Sequence, residues 1–152
     1  MIETMTSESP VAGALQRYMR ERTSCLADAR RLLGLNELDV TAVLHVSKHP
    51  GIRPSELRNH LGITSAGVTT IVERLVRRDI LRRESDNEDR RASHIYAQVE
   101  LSVEPWNCLT RFDDTFNTAI SQLHPEVQRD VAEFLDAATT TAAVKNSAGS
   151  VP

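Results

Sequence analysis

Five arginines stand between Arg74 and Arg83 against a single acid, Asp79, and Arg90 and Arg91 close the run Asp86-Asn87-Glu88-Asp89-Arg90-Arg91. Guanidinium groups offer planar, paired donors that suit phosphate oxygens and base edges alike. From Arg53 to His94 nine arginines face seven acids, a local +2 in a chain whose total is −3, so the remainder carries −5. A mildly acidic protein with one basic strip is what local phosphate contact requires, although a solvated helix face is the common fate of a charge run. Immediately upstream, Ser65, Ala66, Thr69 and Thr70 are small or polar. Side chains of that size let a backbone approach base edges, while Arg74, Arg77 and Arg78 would meet phosphates at the groove rim. Arg74 has a second reading, as a buried partner of Asp79 or Glu84.

Other reactive groups are sparser. His45 and His49 lie four apart, a spacing two metal ligands on one helix face could use, with His60, His94 and His124 elsewhere. No third ligand is close in sequence, so solvated or pocket-lining histidines and no metal are expected. Cys25 and Cys108 are far apart and form no metal-type pair. Cys25 falls on an apolar stripe, where a free cysteine behaves as a small core residue. There is no Gly-rich phosphate loop and no nucleophile elbow, so an enzyme is not expected, nor a cofactor.

The elements that must position these groups follow from periodicity. Val68, Ile71, Val72, Leu75 and Val76 recur at helical spacing, and Thr64 or Ser65 stands where a side-chain oxygen can cap the helix. A shorter helix, Pro54 to Leu61, precedes it, with proline in the first turn and Gly62 breaking the end. Helix, tight glycine turn and helix with a polar outer face form the helix-turn-helix pattern. A hairpin follows: a strand from Asp79 to Glu84, a charged turn over Ser85 to Arg91, and alternation over Ser93 to Val99.

This order resembles the winged helix-turn-helix of the MarR family of bacterial transcriptional regulators. Three pieces carry the resemblance: Pro50-Gly51 to Leu61, Val68-Thr69 to Arg74-Leu75, and the wing from Asp86 to Arg91, with Asp89-Arg90-Arg91 the most specific. It covers about residues 36 to 99. It implies that Arg91 is the wing-tip arginine entering the minor groove, that Asp89 orients it, and that Arg90 faces a phosphate. Thr70 stands where the family often has a basic residue. The family usually continues the second wing strand with Leu-Thr and a glycine three residues on; here Leu101-Ser102-Val103-Glu104-Pro105 stands instead, which shifts the expected entry into the next helix.

The remaining chain is helical in pattern. A long first helix is expected from Pro10 to Leu33, and a second, capped by Asn36 with Asp39 three residues on, ends before Pro50-Gly51. Glu104 to Leu123 reads as one helix, and Pro125 opens a last one through Ala138. Only 4% of the residues are aromatic, which favours a helical fold built on Leu, Val, Ile and Ala. The expected architecture is mainly α with a small β-hairpin wing. Residues 1–9 form a flexible N-terminus, 36–99 the winged helix-turn-helix, 10–34 and 104–138 dimerisation helices, and 139–152 a loose tail. In the resembled family the outer helices interleave with a partner's, and a two-fold protein suits palindromic DNA. The resemblance also implies a pocket for a small aromatic or other small-molecule ligand, with Tyr18, Cys25, His45, Trp106 and Phe112 as candidates. No apolar run approaches membrane-spanning length, and a cytoplasmic, homodimeric repressor binding double-stranded DNA is the expectation. A winged-helix protein-interaction module is the alternative; such a module has no need of paired arginines at the wing tip.

Overall fold

The computed structural model describes residues 9–85 and 93–148, with side chains through residue 144. Six helices and one hairpin follow in the order α1 (Pro10–Leu33), α2 (Glu37–Lys48), α3 (Pro54–Leu61), α4 (Ser65–Arg77), β1 (Leu81–Ser85), β2 (Ser93–Ala97), a 3-10 turn (Trp106–Leu109), α5 (Arg111–Ser121) and α6 (Pro125–Ala148). This is the mainly α architecture with a hairpin that the periodicities predict. The chain divides into two compact units, Met1–Phe112 and Asp113–Pro152, each described by itself.

Local chemistry sets the ends of the helices in the first unit. α1 begins on Pro10, whose missing N–H would have had no helical acceptor there, and stops at left-handed Gly34. At the start of α2 the Asp39 N–H donates to the Asn36 side chain at 2.8 Å, and the Asn36 N–H donates back to the Asp39 carboxylate at 3.2 Å. This closes the expected capping box. The Thr64 hydroxyl accepts from the Gly67 N–H at 3.1 Å, which decides the cap of α4 in favour of Thr64. Between α3 and α4, Gly62 turns the chain at φ +64°, a conformation a side chain would strain.

The core of this unit gathers Val43, Val46, Leu57, Val72, Leu75, Leu81 and Ile95, all fully buried. It is contiguous across α2, α3, α4 and the hairpin. The strands pair antiparallel, from Leu81 opposite Ala97 to Ser85 opposite Ser93. A third segment joins them: the Gly51 N–H donates to the Ile95 carbonyl at 3.0 Å, and the Ile95 N–H donates to the Ile52 carbonyl at 3.0 Å. Gly51 adopts φ +80°, and a Cβ there would sit 3.1 Å from the Tyr96 hydroxyl. That glycine lets the loop between α2 and α3 lie against the wing.

Four expectations differ from the structure. β1 starts at Leu81, not Asp79, because Asp79 turns left-handed at φ 56° and terminates α4, with Ile80 N–H donating to the Leu75 carbonyl at 2.9 Å. β2 ends at Ala97, two residues before Val99. The helix expected from Glu104 is divided, a 3-10 turn over Trp106–Leu109 and then α5 from Arg111. Leu109 of that turn is buried in the core, so burial rather than helical continuity sets its geometry. The loose tail expected from Thr139 is helical as far as Ala148. Alanine has the highest helix propensity, and the Thr141 hydroxyl bonds the Ala137 carbonyl at 2.9 Å, so this stretch needs no apolar periodicity to stay helical.

In the second unit, α5 and α6 carry apolar residues that remain in solvent. Phe116 is 41% exposed and Phe134 57%. No residue of α5 is buried.

Candidate nucleic-acid interface and adjoining cleft

α4 buries one face and offers the other. Val68, Ile71, Val72 and Leu75 point into the core, while Ser65, Ala66, Thr69 and Thr70 are exposed together near its N-terminus. The Thr69 hydroxyl donates to the Ser65 carbonyl at 3.1 Å and the Thr70 hydroxyl to the Ala66 carbonyl at 3.0 Å. With their protons used on the helix itself, these hydroxyls present acceptor lone pairs to an approaching molecule. Their methyl groups can also meet the methyl of a thymine.

The arginines divide into two groups. Arg74 forms an ion pair with Asp39, a carboxylate 2% exposed whose other oxygen closes the α2 capping box. This buried acid therefore ties the start of α2 to the last turn of α4, and it was not among the partners weighed for Arg74. Arg78 donates to the carbonyls of Leu33 and Gly34, each at 2.8 Å, and so ties the end of α4 to the end of α1. Those carbonyls are acceptors the terminating α1 leaves unsatisfied. Arg82 pairs with Glu84, and its guanidinium carbon lies 4.4 Å from the centre of the Tyr96 ring. Arg77 and Arg83 are exposed and make no ion pair among the described residues. Of the five arginines between Arg74 and Arg83, three are thus held by groups of the protein itself. Arg83 is an exposed cation on the wing strand that the sequence reading counted in the basic run but did not single out. Its alternate position in β1 is the only signal that could have marked it. Asp89, Arg90 and Arg91 lie outside the described residues.

A cleft of about 440 Å³ opens between α1, α2 and α3. Leu26, Val40 and Leu44 form its apolar lining, and Arg22, Arg30, Glu37, Lys48, His45 and His60 bring charge or imidazoles. Of the five residues expected to line a ligand pocket, His45 alone lies in this cleft. Tyr18 and Phe112 meet one another elsewhere, with ring centroids 5.5 Å apart. Trp106 packs half-buried against the core. Cys25 is exposed, in contrast to the core position its stripe suggests. Periodicity does not distinguish an exposed apolar side of a helix from a core-facing one.

His45 lies against His60 with ring centroids 3.5 Å apart and planes 12° from parallel, and 4.5 Å from His49. Burial, then His60, His49 and Lys48, hold the His45 pKa below the ordinary histidine value; Glu56 acts in the opposite direction. Stacked faces do not converge their ring nitrogens on one point. Among the described residues no group of three His, Cys, Asp or Glu side chains is disposed to hold a metal ion.

Comparison with known proteins places this geometry. Residues 33–92 match the family model described as MarR family. No curated protein matches the sequence. Among solved structures, MepR of S. aureus bound to ethidium bromide is similar, at 16% identity over 86% of this chain and 95% of that one, with a TM-score of 0.63. The S. aureus MepR–DNA complex is 13% identical over 82% of this chain and 97% of that one, with a TM-score of 0.57. The transcriptional regulator Tm0710 from Thermotoga maritima is 22% identical over 89% of this chain and 98% of that one, with a TM-score of 0.53. At these identities the likeness is one of fold, and the fold is that of MarR-family transcriptional regulators. No helix among the described residues is long and apolar enough to cross a membrane.

Proposed function

We propose that this chain, a winged helix of the MarR family over residues 33–92, is a sequence-specific DNA-binding regulator. It acts in the cytoplasm as a homodimeric repressor on a pseudo-palindromic operator. The observation that carries the reading is the outer face of α4. Ser65, Ala66, Thr69 and Thr70 are exposed together beside exposed Arg77, on a helix held from behind by the Arg74–Asp39 pair. A recognition helix needs such a face: thin where it meets base edges, cationic where it leaves the groove, and rigidly mounted. S. aureus MepR, of the same fold, has been solved with DNA.

In this reading Arg77 contacts a phosphate, and Arg91 at the wing tip enters the minor groove with Asp89 orienting it and Arg90 on a phosphate. Arg74 and Arg78 serve the mounting of α4 and contribute to DNA binding through position. The exposed apolar residues of α1, α5 and α6 are covered by a second copy, which supplies the two-fold symmetry a palindrome matches. A small apolar or aromatic ligand entering the cleft between α1 and α2 releases the operator; MepR has been solved with ethidium bromide.

The test is titration of parent, Arg91→Ala and Arg77→Ala against the DNA flanking the protein's own gene, with substituted flanks and several salt concentrations. Each loss of a phosphate contact is expected to flatten the salt dependence by about one unit of slope. Arg91→Ala should in addition erase discrimination between A·T-rich and G·C-rich flanks, worth on the order of 1–3 kcal/mol per half-site. If Arg91→Ala discriminates flanks as the parent does, the wing is not in the groove and a protein-interaction module becomes the better reading.

A further inference from the structure

The helix-turn-helix holds one cluster of titratable groups that DNA contact does not use. His45 stands in the last turn of α2, His49 at its C-cap and His60 in the last turn of α3. The His45 and His60 rings stack at 3.5 Å, and His49 lies 4.5 Å from His45. Every element packed here brings charge, and positive charge predominates. α1 contributes Arg22 and Arg30, α2 contributes Lys48 and Glu37, and α3 contributes Glu56. Both acids have other partners: Glu37 accepts from Arg30 at 3.0 Å, and Glu56 accepts from the Arg53 backbone N–H at 2.9 Å.

We propose that the stacked imidazoles of His45 and His60 form a proton-operated clasp between α2 and α3, closed while neutral and opened by protonation. Neutral rings pack face to face, whereas two protonated rings would place like charges at stacking distance, with Lys48 adding to the repulsion and Glu56 opposing it. α3 has one fully buried residue, Leu57, and half-buried Leu61 packs its C-terminal end against the core, so the clasp adds to a thin apolar attachment at that end. That end leads through Gly62 and Ile63 to Thr64, the cap of α4. Opening the clasp therefore loosens the mounting of the recognition helix.

The sign follows from linkage. A histidine whose folded pKa lies below its unfolded value leaves stability unchanged above the unfolded value, about 6.5, and withdraws stability as the pH falls from there towards the folded value. The depressed His45 pKa is of this kind. The loss is up to about tenfold in the folding equilibrium for each pKa unit of depression. For DNA the direction is diagnostic, since protonating histidines adds positive charge and by itself strengthens phosphate attachment. A clasp that opens weakens binding instead. Only this DNA arm rests on the function proposed above.

The experiment follows thermal stability and amide hydrogen exchange of the full chain between about pH 7.5 and 5.5, the window in which an unperturbed histidine titrates. Parent, His60→Gln and a control, His124→Gln, are compared, and the His45 ring is titrated by NMR in the parent. The parent and His124→Gln should lose Tm and α3 protection on acidification, His60→Gln should lose less, and His45 should titrate below the ordinary histidine range. A His60→Gln profile superimposed on the parent's, or a His45 ring titrating at or above that range, overturns the clasp. Duplex DNA flanking the gene, titrated over the same window, should be bound several-fold more weakly in acid by the parent, with a smaller change for His60→Gln. Should the duplex remain unbound at every pH while the stability profiles behave as expected, the clasp stands and the DNA reading falls. Should DNA bind while the two stability profiles coincide, the clasp alone falls.

Discussion

α4 and α6 carry apolar residues at the same helical spacing and bury them very differently. Val68, Val72 and Leu75 of α4 are sealed in the core, whereas Val127, Val131 and Phe134 of α6 are between 44% and 57% exposed. An apolar stripe states that a helix has a face to cover; it does not state what covers it. In the winged helix the turns at Gly62 and Asp79 are tight enough for neighbouring elements to close over the stripe within one chain. α1 and α6 are longer, at 24 residues each, and a second copy is the cover proposed for them and for α5.

The widest break of this comparison sets Leu75→Ala against Phe134→Ala. Leu75→Ala removes a fully buried side chain and should cost about 3–4 kcal/mol in urea unfolding, independently of protein concentration. Phe134→Ala should cost little in a dilute chain and increasingly more as concentration rises, because in the proposed dimer the lost contact belongs to an association equilibrium. Equal, concentration-independent losses for both would remove the contrast and the dimer with it. Sedimentation showing a folded monomer at tens of micromolar would do the same.

A second break separates arginines that mount α4 from those that face outwards. Asp39→Asn leaves Arg74 without its carboxylate and weakens the α2 capping box, so a loss of about 2–4 kcal/mol is expected in denaturant titration, discounted at the upper end because Arg74 is partly in solvent. Arg77→Ala should change stability by less than about 0.5 kcal/mol and be visible only against DNA. If Arg77→Ala destabilises as Asp39→Asn does, Arg77 too has a structural partner.

The smallest effect sharpens the local end of the comparison. Thr64→Ala deletes the hydroxyl that accepts from the Gly67 N–H and should cost about 1 kcal/mol in thermal unfolding, with Thr64→Ser retaining most of it. An unchanged midpoint for Thr64→Ala would mean that packing alone positions the start of α4.

The sequence was most readable where structure is local. The bounds of α1 and α3, the Asn36–Asp39 capping box and the buried stripe of α4 all follow from residues within about one or two helical turns of one another. It misled where a residue type admits two conformations. Asp79 suits a strand entry in pattern, yet takes the left-handed turn that ends α4. Thr139 to Ala148 lacks apolar periodicity, yet alanine propensity keeps it helical.

Helix order, the winged pattern and the position of the polar face were determined by the sequence alone, because periodicity and capping act between near neighbours along the chain. Which arginines remain outward was decided only by tertiary structure. Arg74 finds Asp39 35 residues away, and Arg78 finds the carbonyls of Leu33 and Gly34 45 and 44 residues away. His45 and His60, fifteen positions apart in the chain, stack only because α3 folds back against the end of α2. Arg82 finds Glu84 two residues on, but Arg74, Arg78 and the two imidazoles have partners that only the packing of apolar faces brings within reach.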